Sequence, residues 1–257
     1  MSTAPSWESL QGTALVVGQG GIGTALVEAL RQRQPQLELL WLGRRSTPRL
    51  DLTCDTDLDQ LGEVLRGKPP LRLVLNTAGW LHDGQRGPEK RLSRVERAGL
   101  EQAFSINAYG AILLARAVES ALGHGQSAWF ASLSARVGSI GDNRLGGWYG
   151  YRAAKAAQNQ LLRTLAVEWQ RRLPSVCVTL LHPGTTATAA LSFGCGGCQS
   201  RACTNRGTRP ASQPRATRRP AGFPPCRGNG RRVDPRRYSP MTITFSCESP
   251  CCSQSAR

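Results

Sequence analysis

A parallel α/β sheet covered by helices on both faces is predicted by three observations. Short apolar runs alternate with helix-period segments, the runs are apolar throughout rather than on every second residue, and the first run ends in a glycine cluster that opens a helix. Residues 13–17, 37–42, 71–75, 127–132 and 176–181 read as strands. Residues 21–33, 55–66, 98–122 and 149–172 read as helices. In the second helix Leu58, Leu61 and Leu65 recur at helical spacing behind Asp55 or Thr56 as N-cap. In the third, Leu100, Phe104, Asn107, Ala111, Leu114 and Val118 fall along one stripe. Nothing after residue 181 reads as a further strand.

Composition divides the 257 residues unevenly. The chain carries a formal charge of +16, but residues 193–257 hold 12 arginines, no lysine, and only Asp234 and Glu248 as acids. The same stretch holds seven of the nine cysteines and eight of the sixteen prolines. The basic balance is therefore a property of the tail and is not a nucleic-acid footprint of the whole chain. The expected organisation is a domain over residues 1–192 and a disordered tail over 193–257. The abrupt switch to Arg, Pro, Cys, Gly and Ser also suits translation in a shifted reading frame of a GC-rich gene. Cys195, Cys198, Cys203 and Cys226 contain one Cys-x-x-Cys, but no second pair follows at matching spacing, so no metal is expected. No residue run is apolar and long enough to span a bilayer, and the first residues lack the basic and apolar regions of a signal peptide. With only Cys54 and Cys177 outside the tail, the expectation is a cytoplasmic protein that engages neither membrane nor nucleic acid.

The glycine cluster is Gly18-Gln19-Gly20-Gly21-Ile22-Gly23, a G-x-G-x-x-G sequence between a strand and a helix. Gly18 permits the tight turn, Gly20 lets backbone approach a pyrophosphate, and Gly23 permits close helix–strand packing. This makes the fold a Rossmann-type doubly wound sheet, three-layer αβα, that binds a dinucleotide. Some 20 residues on, where an acid would hold an NAD ribose, stand Arg44 and Arg45. Guanidinium groups bind a 2′-phosphate through charge-assisted hydrogen bonds, so the expected cofactor is NADP (NADPH). Tyr151 and Lys155 lie at i and i+4, one turn apart on one helix face. An ammonium beside a phenol stabilises the phenolate, lowers the tyrosine pKa and makes Tyr151 a proton donor or acceptor near neutrality.

These residues occur in an order that resembles the short-chain dehydrogenase/reductase family over residues 13–190. Asn76-Thr77-Ala78-Gly79 is similar to the family's Asn-Asn-Ala-Gly motif, which braces the sheet beside the cofactor. The resemblance implies that Asn107 holds a relay water, that Ser134 hydrogen-bonds the substrate oxygen, and that Tyr151 is the acid/base with Lys155 as its partner. Lys155 would also bind the nicotinamide ribose. It further implies cofactor contacts at Gly18, Gly20, Gly21, Ile22, Gly23, Asp51, Leu52, Asn76, Ala78 and Gly79, and at Pro183, Gly184 and Thr185 beside the nicotinamide. Ser132 and Ser139 are rivals for the serine role. Ser134 is preferred because it ends its strand, where ligand-facing residues of α/β sheets lie. The short glycine loop, the 134–149 segment and Leu181-His182-Pro183-Gly184 resemble the C-factor-like subgroup of the family.

The implied activity is hydride transfer between NADPH and a small-molecule carbonyl or alcohol, with a homo-oligomer among the family's habits. Two alternatives stay open: a non-enzymatic NADP-binding signalling or regulatory protein, and a reductase inactivated by its aberrant tail.

Overall fold

The computed structural model describes residues 10–82 and 87–183. The proposed tail, its cysteines and the boundary at residue 192 lie outside them, as do Gly184 and Thr185.

The chain enters on β1 (Gly12–Val17) and continues through α1 (Gly21–Arg33), β2 (Leu37–Leu42), α2 (Asp55–Leu65) and β3 (Leu71–Asn76). Then come α3 (Arg97–Phe104), a π-helical turn (Ser105–Tyr109), α4 (Gly110–Leu122), β4 (Ala128–Leu133), α5 (Tyr149–Arg172) and β5 (Val176–Leu181). The five strands among the described residues are all parallel, in the order β2-β1-β3-β4-β5. Every strand is six residues long. The fold class expected from the sequence is the one observed.

The sheet separates two cores because alternate strand residues face opposite ways. Leu15, Val17, Val74, Phe130 and Val178 pack with Leu58, Leu61, Leu114, Leu162 and Trp169, which come from α2, α4 and α5. Ala14, Val16, Leu73, Leu75 and Ala131 face the other way, against Val27 and Leu30 of α1. Both faces of β1 and β3 are thus covered, which is why these strands read as unbroken apolar runs. Phe130 meets Trp169 edge to face, with ring centroids 5.9 Å apart.

The order of the strands creates the functional end of the sheet. After β1 the chain moves outward to β2, then returns to place β3 on the other side of β1. The crevice beyond the carboxyl ends of β1 and β3 is the topological switch point, where open α/β sheets bind ligands. Gly18 and Thr77, the residues that follow these two strands, meet there: Thr77 N donates to Val17 O at 2.8 Å.

The long helix expected over residues 98–122 is interrupted. A π turn at 105–109 inserts one extra residue between α3 and α4, and Asn107 lies within it. Such bulges recur at functional sites because they redirect one side chain out of the helical ladder.

Candidate active site

The glycine loop owes its shape to missing side chains. Gly18 has φ +110, and a Cβ there would lie 2.6 Å from Thr77 Oγ1 and 2.9 Å from Ala78 N. A Cβ on Gly23 would lie 2.3 Å from Gly18 O, so only glycine allows α1 to pack down on the strand end. At Gly20 the opposite holds: a Cβ would meet nothing within 4 Å. Gly20 caps α1 with extended backbone and no side-chain hydrogen bond, and the first turn holds no acid. The helix therefore presents free N–H groups and its positive dipole end to open space, a cradle for an anion such as a diphosphate.

The neighbouring polar groups show two characters. Arg44 and Arg45 are exposed beside this loop, with Arg45 N donating to Gln19 Oε1 at 3.1 Å. Asp51 is held within its own turn. Its Oδ1 accepts from Thr53 N (3.0 Å) and Thr53 Oγ1 (2.8 Å), and its Oδ2 from Arg49 Nη2 (3.1 Å). Partial burial pushes the Asp51 carboxyl up, but these hydrogen bonds and the charge of Arg44 outweigh it and leave the group below its ordinary value. Leu52 is 5% exposed and belongs to the core; a Cβ on Gly110 would lie 2.9 Å from its Cβ.

The loop after β3 gathers the remaining residues. Asn76 Nδ2 donates to Ser132 Oγ (3.0 Å) and Asn76 Oδ1 accepts from Ala78 N (3.1 Å), so this asparagine braces the loop to β4. Asn107 is clamped by backbone: Oδ1 accepts from Trp80 N (3.0 Å), and Nδ2 donates to Trp80 O (2.7 Å) and Ala103 O (3.0 Å). A Cβ on Gly79 would lie 3.3 Å from Asn107 Oδ1 and 4.0 Å from Lys155 Nζ. Gly79 thereby brings the π turn and α5 to one point.

On α5, Tyr151 and Lys155 share the face turned toward the sheet. Lys155 is 3% exposed, and its Nζ donates to Leu133 O (2.8 Å) and Gln158 Oε1 (2.9 Å). Burial lowers its pKa from the usual lysine range to about 7. Nζ lies 5.8 Å from the Tyr151 ring centroid. Here the structure corrects the sequence-derived expectation of a lowered tyrosine pKa. Burial raises the Tyr151 phenol, and the Lys155 amine is directed at the Leu133 carbonyl and the Gln158 amide oxygen.

The three serines occupy different settings. Ser134 Oγ donates to Asn159 Oδ1 at 2.6 Å. Ser132 is completely buried within the hydrogen bonds from Asn76 and Gln158. Ser139 lines a cavity of about 480 Å³ with Ile140, Tyr149, Arg152 and Ala156; Tyr151 does not line it. Pro183, at the end of the described residues, is exposed. Two residues at the site were not foreseen from sequence. One is Gln158, which binds Lys155. The other is Gly138, where a Cβ would lie 2.9 Å from the Lys155 carbonyl carbon.

Residues 16–206 match the family described as enoyl-(acyl carrier protein) reductase. The chain belongs to the short-chain dehydrogenase/reductase family. That family comprises oxidoreductases that bind nicotinamide cofactors and act on small molecules. The chain is 30% identical over 189 residues to the 1-hydroxy-2-glutathionyl-2-methyl-3-butene dehydrogenase of Rhodococcus sp. (strain AD45), which covers 68% of this chain and 78% of that protein. It is 33% identical over 120 residues to the C-signal of Myxococcus xanthus, 46% of this chain and 68% of that one. In fold it is similar to the carbonyl reductase Sniffer of D. melanogaster, with a TM-score of 0.60 at 24% identity over 70% of this chain and 83% of that structure. No helix among the described residues is long and apolar enough to cross a membrane.

Proposed function

We propose that this short-chain dehydrogenase/reductase uses NADP(H) to interconvert a small-molecule carbonyl and its alcohol, with residues 1–192 carrying the chemistry in the cytoplasm. The observation that carries the reading is the convergence of Asn107, Gly79, Lys155 and Tyr151 at the sheet end that also holds the glycine loop, where Gly20 is open and α1 begins with no side-chain cap hydrogen bond.

The residues fit a dinucleotide. Gly18, Gly20, Gly21, Ile22 and Gly23 would hold the diphosphate, and Arg44 and Arg45 the 2′-phosphate. Asp51 and the Leu52 backbone would flank the adenine. Asn76, Ala78, Gly79 and Lys155 would line the nicotinamide riboside, with Pro183, Gly184 and Thr185 on its far side. The cofactor, when bound, supplies or accepts the hydride.

The chain's own residues handle the proton. Tyr151 Oη donates a proton to the carbonyl oxygen as the oxygen gains charge, and takes it back in the alcohol direction. A protonated Lys155 stabilises the resulting phenolate, so turnover requires its Nζ to be shared with Tyr151 as well as with Leu133 O and Gln158 Oε1. Asn107, fixed by three hydrogen bonds, anchors the path by which the proton is replaced from water. Ser134 steadies the substrate oxygen once its hydroxyl turns from Asn159.

The test is oxidation of NADPH across a panel of ketones and aldehydes by wild type and Tyr151→Phe. Removing a positioned general acid costs about 10²–10⁴-fold in rate, so the variant is expected to bind NADPH as wild type does while turnover falls by that factor. Cofactor binding without turnover of any panel member in wild type would instead favour a ligand-dependent signalling protein.

A further inference from the structure

The buried face of α5 carries a polar side chain that the proton-transfer chemistry leaves unused. Gln158 is 1% exposed, one helical turn beyond Lys155 and two beyond Tyr151. A carboxamide in that position costs free energy unless its donors and acceptor are all engaged; leucine would fill the space without that cost. Here they are engaged. Gln158 Oε1 accepts from Lys155 Nζ at 2.9 Å. Gln158 Nε2 donates to Ser132 Oγ at 2.8 Å and to Leu133 O at 3.2 Å. Ser132 Oγ also accepts from Asn76 Nδ2 at 3.0 Å, and Asn76 Oδ1 accepts from Ala78 N at 3.1 Å. The amide orientation follows from the partners, since the Leu133 carbonyl can only be met by an N–H and a charged lysine only by the amide oxygen.

We propose that Gln158 is a positioning residue, the link in a buried chain Lys155–Gln158–Ser132–Asn76 that holds the lysine amine to the sheet and to the loop of Ala78 and Gly79. The proposal rests on the reading of Lys155 as the partner of Tyr151. Lys155 Nζ has three protons when charged, and two are directed at Leu133 O and Gln158 Oε1. The third is left for Tyr151 and the cofactor side. Removing Gln158 releases the amine from one of two fixed acceptors, and burial then acts on its charged form with less opposition.

Among the described residues no acid pairs with the Lys155 amine in its place. On α5 the titratable group facing the amine is Tyr151, 5.8 Å away at its ring centroid. β4 offers the Ser132 hydroxyl and the Leu133 carbonyl, the π turn offers Asn107, and the loop after β3 offers Gly79, all uncharged. Arg136, in the turn after β4, is occupied on the surface by Asp142 at 2.6 Å. Glu89 reaches only the first turn of α5, at Gly150 N (3.4 Å). α4 and β5 approach α5 through the apolar core, apart from Glu119 of α4, which pairs with Arg172 at the last residue of α5 at 2.9 Å. Burial alone accounts for the lowered lysine pKa of about 7.

The chain can be tested without turnover. A lysine whose folded pKa is lowered binds fewer protons folded than unfolded between that value and its ordinary one. Stability of the cofactor-free protein therefore rises with pH from about 7 until the unfolded lysine has also lost its proton. Melting temperature is measured from pH 5.5 upward for wild type, Lys155→Met, Gln158→Leu and Gln158→Glu. Lys155→Met is expected to lose the rise. Gln158→Glu places a carboxylate on the amine and is expected to move the onset up by about 1–3 pH units; Gln158→Leu is expected to move it down. The proton-transfer limb in the pH profile of kcat is expected to move with each onset. Onsets for both Gln158 variants that coincide with wild type overturn the proposal, as does coincidence for Gln158→Glu alone if Gln158→Leu does not fold. Wild type lacking turnover would instead remove the reductase reading and leave the melting curves to decide the role of Gln158.

Discussion

The cofactor loop and the Tyr151–Lys155 face of α5 lie at the same end of the sheet and are built by opposite means. Between Gly18 and Gly23 the geometry depends on atoms that are not there. Two glycines stand where any Cβ would strike backbone or Thr77, and a third opens on empty space. On α5 the geometry depends on polar side chains that are fully buried and hold one another: Lys155, Gln158, Ser132 and Asn76. A site made by omission tolerates no addition. A site made by mutual hydrogen bonding tolerates no single removal, because each loss strands a buried partner.

The contrast is sharpest in substitutions on the two sides. Gly23→Ala is expected to give the largest effect after loss of Tyr151, since the added carbon falls 2.3 Å from Gly18 O, a backbone atom that has nowhere to go. Overpacking of this kind costs about 1–3 kcal/mol, read as a lowered melting temperature together with weakened NADPH binding by calorimetry. Gly20→Ala separates space from stability. Its carbon meets nothing in the free protein, so the melting temperature is expected to hold within the small change of a surface substitution while NADPH binding weakens.

Replacing both Arg44 and Arg45 by Ala is expected to weaken NADP by about 10–100-fold relative to NAD, the scale of one charge-assisted hydrogen bond lost from a phosphate. Equal losses for the two cofactors would remove the NADP assignment and leave the dinucleotide site intact. Ser134→Ala is expected to be the mildest. Its hydroxyl already has a partner in Asn159, at 2.6 Å, so a decrease of about tenfold in kcat/KM is expected, the scale of one hydrogen bond.

Much of this was legible in the sequence, for identifiable reasons. Five strands and the flanking helices could be read because a doubly covered sheet leaves unbroken apolar runs, as in β1 and β3. The glycine loop and the Tyr151–Lys155 pair were proposed as site residues because their spacing is local, and Asn107 because the resemblance to the family implied it. The π turn could not. Leu100, Phe104, Asn107, Ala111, Leu114 and Val118 keep a helical stripe, and only the Trp80 backbone, distant in sequence, shows why Asn107 needs an extra residue beneath it. Gln158 could not be read either. A glutamine in a helix reads as a solvated position, and its burial depends on Ser132 and Asn76, which the fold brings together from two other strands. The direction of the Tyr151 shift was missed for the same reason: helical spacing placed Lys155 one turn away but could not show the burial that raises the phenol.

The role proposed for Tyr151 is to deliver the proton for a nicotinamide-dependent carbonyl reduction. It is tested most directly by single-turnover oxidation of bound NADPH at saturating ketone, followed by loss of nicotinamide absorbance in wild type and Tyr151→Phe. The expected rate in the variant is lower by about 10²–10⁴-fold, with unchanged NADPH affinity. Equal single-turnover rates in the two proteins would contradict it.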